Sequence, residues 1–210
     1  MENDVKEFLS ELLKQLKSID YIKPEDIPNI DLYMDQVTTF MDEQLAASKR
    51  YESDKILTKT MINNYAKNNL LPSPDKKKYS KEHVLTLLFI YYFKNILSIN
   101  DIRSILNPLT EKYFGNDDGF TMQDVYTEVF SLEAEESQKL LKDLGKKYKI
   151  AGETFENFPD EDQKFLHTFS FICMLSFDVY IKKMLIERMI DNLNEKKRLL
   201  PMKYTFRKRK

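Results

Sequence analysis

Between Thr58 and Asn69 the chain reads TKTMINNYAKNN, and this stretch holds the groups with most scope for chemistry. At 3.6 residues per turn Lys59, Thr60, Asn63, Asn64, Lys67 and Asn68 share the outward part of a short helix, while Ile62, Tyr65 and Ala66 face inward. A turn opened by Pro72 and Pro74 follows, bearing Lys76, Lys77, Lys78 and Tyr79. Amides pair bidentately with adenine edges and lysines neutralise phosphates, so helix and turn together suit a DNA groove. A polar helix face is also what any solvated helix presents, and that reading stays open.

Other chemistry finds little material. The chain has two histidines and one cysteine, and no Gly-rich phosphate loop, paired His-Glu metal motif or nucleophile elbow. A lone cysteine excludes an internal disulfide and any multi-Cys zinc site, and Cys173, among Phe171, Ile172, Met174 and Leu175, reads as inert core. His83 lies in the first turn of a helix, where the dipole disfavours a positive charge, and reads as a neutral structural residue. His167, among apolar neighbours, reads as a satisfied core residue. The carboxylates Glu135-Glu136 and Asp160-Glu161-Asp162 sit at acidic helix starts, where they favour the dipole. The turn Tyr113 to Gly119 lacks the alternating ligands of a calcium loop. No enzyme, metal or cofactor is expected.

Composition sets the frame. Apolar residues make up 42% of the 210-residue chain and only 4 are Gly, which argues for a helical globular protein. Net charge is −1, so attraction to nucleic acid must be local. Residues 49–83 carry nine Lys or Arg against four acids, residues 120–165 six against eleven, and residues 196–210 eight against none. That divides the surface by sign. The most apolar run, Phe165 to Phe177, is 13 residues, short of the roughly 20 that cross a bilayer. The acidic, amphipathic start is no signal peptide, so a soluble, cytoplasmic protein is expected.

In order, apolar residues from Val5 to Ile19 predict an amphipathic helix over 3–18, followed by a break at Lys23 to Pro28. Asp31 is the expected cap of a helix through Gln44, with Leu32, Val37, Phe40, Met41 and Leu45 inward. Residues 46–56 either extend that helix or form a loop projecting Lys49, Arg50 and Tyr51. Thr58 caps the polar helix, and Ser80 caps one from Lys81 to Asn95 that is apolar nearly all round. Ser98 to Asp101 and Thr121 to Asp124 have capping-box form. Helices near 122–130 and 132–148 precede a long one from about Asp160 to Lys197.

The order of several of these features resembles the MerR-type winged helix-turn-helix. The matching residues are Tyr65, Leu70-Leu71-Pro72, Pro74, Tyr79-Ser80, Phe89-Ile90 and Ser98-Ile99-Asn100-Asp101-Ile102. More closely, Ile27 to Leu106 resembles an uncharacterised bacterial family, a domain of unknown function described as MerR-like. Asn63 and Asn64 stand where MerR-type helices carry Arg and an aromatic, Ala66 where they carry an acid, and Asn69 at the turn Gly. Asn tolerates left-handed geometry, so the turn is expected to survive.

The resemblance implies an all-α fold with a winged helix-turn-helix and a small β-hairpin wing, followed by a helical C-terminal domain. The expected divisions are 1–26, an amphipathic helix and linker; 27–112, the winged-helix domain; 120–198, a helical domain for dimerisation or effector sensing; and 199–210, a basic tail. The expected function is transcriptional regulation on double-stranded DNA, with 58–69 in the major groove and 75–79 on phosphates. The contact set is then Lys59, Thr60, Asn63, Asn64, Tyr65, Lys67, Lys76, Lys77, Lys78 and Tyr79. A homodimer through the last helix would use Val179, Ile186, Ile190 and Leu193, which can equally pack within the chain. A small-molecule effector would be a further partner of the regulator; the alternatives are a protein-interaction module that keeps the scaffold without DNA, and a small-molecule binder using an aromatic pocket in the second domain.

Overall fold

The computed structural model describes residues 21–116 and 119–199. The amphipathic helix expected over 3–18 and the tail from 200 lie outside the described residues. The described chain is mainly helical with one two-stranded sheet. Its elements are β1 (Leu32–Tyr33), α1 (Met34–Gln44), α2 (Lys59–Lys67), β2 (Lys78–Tyr79), α3 (Lys81–Lys94), α4 (Ile99–Tyr113), α5 (Met122–Ser131), α6 (Glu133–Gly152) and α7 (Asp160–Leu199).

The core is organised around α3. Every residue from His83 to Tyr91 is buried, as its unbroken apolar run requires, and Val84, Leu85, Leu87, Leu88 and Ile90 are fully so. At about 1.5–3 kcal/mol for each buried aliphatic side chain, no other element contributes as much. Val37 and Met41 of α1, Ile62 and Tyr65 of α2, and Ile102 and Leu106 of α4 join the same cluster.

That core does not end at the 113–119 turn, where the sequence suggested a boundary. Met122 and Tyr126 of α5 are fully buried in it. Tyr126 packs edge-on against Phe89 at 5.4 Å and close to Phe130 at 4.4 Å, and its hydroxyl donates to the Ile22 carbonyl at 2.8 Å. Tyr21 stacks on Phe130 at 5.4 Å. The entry of the described chain is thereby fastened to α5, a contact far too long-range for local patterning to reveal.

One local expectation changes and another is decided. The first helix begins at Met34 and not at Asp31, because Leu32 and Tyr33 are extended and pair with Tyr79 and Lys78. The cap is Tyr33, whose N–H donates to the Gln36 side chain at 2.8 Å. The 46–56 segment is not a helical extension but a loop, with Arg50 and Tyr51 exposed and its two ends tied to α3. After a 3-10 turn at Ala46–Ser48, Ser48 hydrogen-bonds the Tyr91 hydroxyl, and Lys94 Nζ donates to the Ile56 carbonyl at 2.6 Å. Burial holds the Lys94 ammonium below the usual lysine range.

α6 and α7 form an antiparallel hairpin with a second, small core of Leu144, Ala151 and Phe171, backed by Tyr148, Met174 and Leu175, while α7 also packs on α4 and sends Ile190 into the first core. Lys147 lies between Asp143 of its own helix and Asp178 of α7. His167 meets the Thr154 carbonyl at 2.8 Å, in a half-buried position. Cys173 is exposed, contrary to the core expectation, because it lies on the side of α7 away from α6. No described helix is long and apolar enough to cross a membrane.

Replacing Tyr126 by Phe leaves the Ile22 carbonyl without its donor and should cost about 1–2 kcal/mol, read as a lower urea midpoint with unchanged slope.

Candidate functional site

α2 is short and sharply bounded at both ends. Thr58 Oγ1 accepts from Met61 N at 3.2 Å, the capping role that its hydroxyl suggested. At the other end Asn69 adopts φ 53°, so Asn serves where Gly would be usual. Leu70 N donates to Tyr65 O at 2.8 Å and Asn69 N to Ala66 O at 3.1 Å, the paired bonds of a Schellman exit. Leu70 and Leu71 then drop into the core and fix the direction in which the chain leaves.

The amphipathic division of α2 is as the spacing requires. Ile62 and Tyr65 are buried, while Lys59, Thr60, Asn63, Asn64 and Lys67 are exposed. Tyr65, expected in the contact set, points into the core, and burial raises its phenol above the usual range. Lys59 pairs with the Asp35 carboxylate of α1, so its charge is partly compensated. Asn68 donates its side-chain amide to the Asn64 carbonyl at 2.8 Å, closing the last turn.

The lysine turn is a tight two-residue turn. Asp75 and Lys78 form a lone antiparallel bridge, with Lys78 N donating to Asp75 O at 2.8 Å. The two residues between them, Lys76 and Lys77, have φ 47° and 66°. Left-handed geometry suits Asn-Gly in such hairpin turns and costs a residue with a Cβ about 1–2 kcal/mol. Two lysines here therefore hold their ammonium groups at the tip against a local backbone penalty. Beyond the turn the chain pairs with β1 and not with a second wing strand.

Tyr79, the other aromatic of the expected set, is buried, whereas Tyr33 is exposed and takes Lys78 Nζ over its ring at 5.6 Å. No local pattern marks Tyr33 for this position, because only its strand pairing with Lys78 brings it here. Among the described residues no carboxylate pairs with Lys67, Lys76, Lys77 or Lys78. The buried Leu70-Leu71 segment links the α2 amides to the turn lysines.

His83 anchors the turn from below. Its Nδ1 accepts from Ser80 N at 3.0 Å and lies 2.8 Å from Ser80 Oγ, so the proton of the neutral ring resides on Nε2. The Tyr79 and Phe114 rings meet it edge-on at 5.5 and 4.7 Å. Burial pushes its pKa below the ordinary 6.5, and its buried Nε2 finds no hydrogen-bond partner among the described residues. Among the described residues no cluster of His, Cys, Asp and Glu has the form of a metal site.

A family model, Domain of unknown function (DUF1836), matches residues 22–129, just over half of the chain. The protein belongs to the DUF1836 family. The match runs from the Ile22 tie into α5 and holds most of the α3-centred core, which also takes in Ile190 of α7. Neither a curated protein nor a solved structure matches the chain. Of the expected dimerisation residues, Ile190 is buried in the DUF1836 core, whereas Val179, Ile186 and Leu193 are exposed.

Because the His83 pKa is lower folded than unfolded, its neutral form contributes stability fully present above the unfolded value of 6.5 and lost as pH falls toward the folded one. His83→Gln keeps an acceptor for Ser80 N without titrating. Thermal melts between about pH 7.5 and 5 should fall more steeply for the native chain than for this variant.

Proposed function

We propose that this protein is a DNA-binding transcriptional regulator of MerR-like type, with α2 in the major groove and the Lys76–Lys78 turn on the phosphates beside it. One observation carries the reading: two lysines hold the strained tip of a turn where Asn-Gly would relieve the backbone. The exposed Asn63 and Asn64 supply amides for adenine edges, and Lys67 adds a cation on the same helix. With a net charge of −1, affinity depends on this local patch and is steeply sensitive to salt.

A second reading draws on the Lys59–Asp35 pair, which removes one cation from the start of α2. Under it the same scaffold is a protein-interaction module that does not bind DNA.

Fluorescence anisotropy with the duplex upstream of the protein's own gene and a scrambled duplex, at two salt concentrations, separates the two. The regulator binds its own duplex more tightly, and changing Lys76, Lys77 and Lys78 to Ala lowers the salt slope by up to about 0.9 for each phosphate no longer neutralised. Equal, salt-insensitive binding to both duplexes, or none, favours the module.

Replacing Lys76 by Asn and Lys77 by Gly should raise folding stability by about 1 kcal/mol while weakening DNA binding. Paired urea melts and anisotropy titrations would show the two changes moving in opposite directions, which an unfolding artefact cannot do.

A further inference from the structure

α4 and the C-terminal half of α7 pack together, and a groove of about 590 Å³ opens at their junction. Asn100, Arg103, Asn107 and Glu111 line it from α4, at the spacings of three and four that keep side chains on one helix face. Asn194 of α7 lines it from the other side. None of these residues belongs to the set on α2 and the lysine turn.

Arg103 is the incompletely satisfied group in this groove. Its Nε is buried yet has no hydrogen-bond partner among the described residues. One terminal nitrogen reaches the Asn100 side-chain oxygen, at the long distance of 3.5 Å. No described carboxylate forms an ion pair with Arg103, and no described cation forms one with Glu111. A buried N–H left unpaired is costly, and the planar fork of a guanidinium fits a carboxylate through two parallel hydrogen bonds. A ligand carboxylate therefore satisfies Arg103.

Glu111 narrows the choice. It lies eight residues after Arg103, on the order of 12 Å along α4. A compact anion such as inorganic phosphate gains nothing from a carboxylate at that end, whereas an ammonium does. Between the two charges stand the side-chain amides of Asn107 and Asn194, each a donor and an acceptor, as a peptide group is. Three extended residues span roughly 10 Å, close to the spacing of the two charges.

We propose that this groove binds a short peptide of about three residues, its C-terminal carboxylate on Arg103 and its N-terminal ammonium on Glu111. Asn107 and Asn194 then meet the peptide groups between. The site goes beyond the DNA-binding reading and stands whether or not that reading holds.

Triglycine is the probe, because it carries both charged ends and no side chain that the groove could reject. In an NMR titration of the full chain, the Arg103 Nε–H signal should shift saturably as triglycine is added. Triglycinamide lacks the carboxylate and N-acetyl-triglycine the ammonium, and each should bind about tenfold more weakly or worse. A native chain whose Arg103 signal stays in place, or that binds all three compounds alike, overturns the proposal.

The two ends are assigned with variants that keep the native helical circular dichroism and a cooperative melt. Arg103→Gln should erase the preference over triglycinamide, and Glu111→Gln the preference over N-acetyl-triglycine. Either preference persisting in its own variant overturns the proposed arrangement. The native-chain comparison decides the matter even where a variant does not fold.

Discussion

The burial of α3 on all sides is the constraint on which the rest of the domain depends. A helix apolar around its whole circumference cannot lie on a surface, so other elements must enclose it. α1, α2, α4 and α5 do so through Val37, Ile62, Ile102 and Tyr126. Both ends of α3 are then put to use. At its start, the Ser80–His83 box and the Tyr79 ring hold the exit of the lysine turn. Near its end, Tyr91 and Lys94 fasten the 46–56 segment. The exposed amides of α2 and the lysines of the turn are thus two surface segments fixed by one buried helix.

Much of this was legible from residue types alone. The apolar run of α3, the Thr58 cap, the inward Ile62 and the left-handed tolerance of Asn69 each follow from local stereochemistry. The polar face of α2 was legible for the same reason. Tertiary contacts decided what local patterning could not. Asp31 looked like a cap, but pairing with β2 kept Leu32 and Tyr33 extended and moved the cap to Tyr33. Tyr33 came beside Lys78 only through that pairing. Local pattern left 46–56 as either a helical extension or a loop, because its ties to Tyr91 and Lys94 lie some forty residues away. The 113–119 turn falls between the expected divisions 27–112 and 120–198, yet Tyr126 beyond it is central to the first core.

The C-terminal hairpin obeys different physics. α6 covers one side of α7, and the two share a core of few residues. Cys173 shows why an apolar run does not by itself mean burial: in a two-helix layer, a helix apolar on several faces has a partner for only one of them. The DUF1836 match ends at residue 129, just before this hairpin begins. The α3-centred core and the hairpin therefore pose separate questions, surface chemistry on the first and apolar coverage on the second.

The most direct measurement of the central claim is an NMR titration of the chain with duplex DNA, following the side-chain amides of Asn63 and Asn64 and the backbone amides of Lys76 to Lys78. These signals should shift together and saturably, while those of the buried Val84 to Ile90 stay in place. Shifts confined to other segments, or a duplex that leaves both the α2 amides and the lysine turn unperturbed, would contradict it.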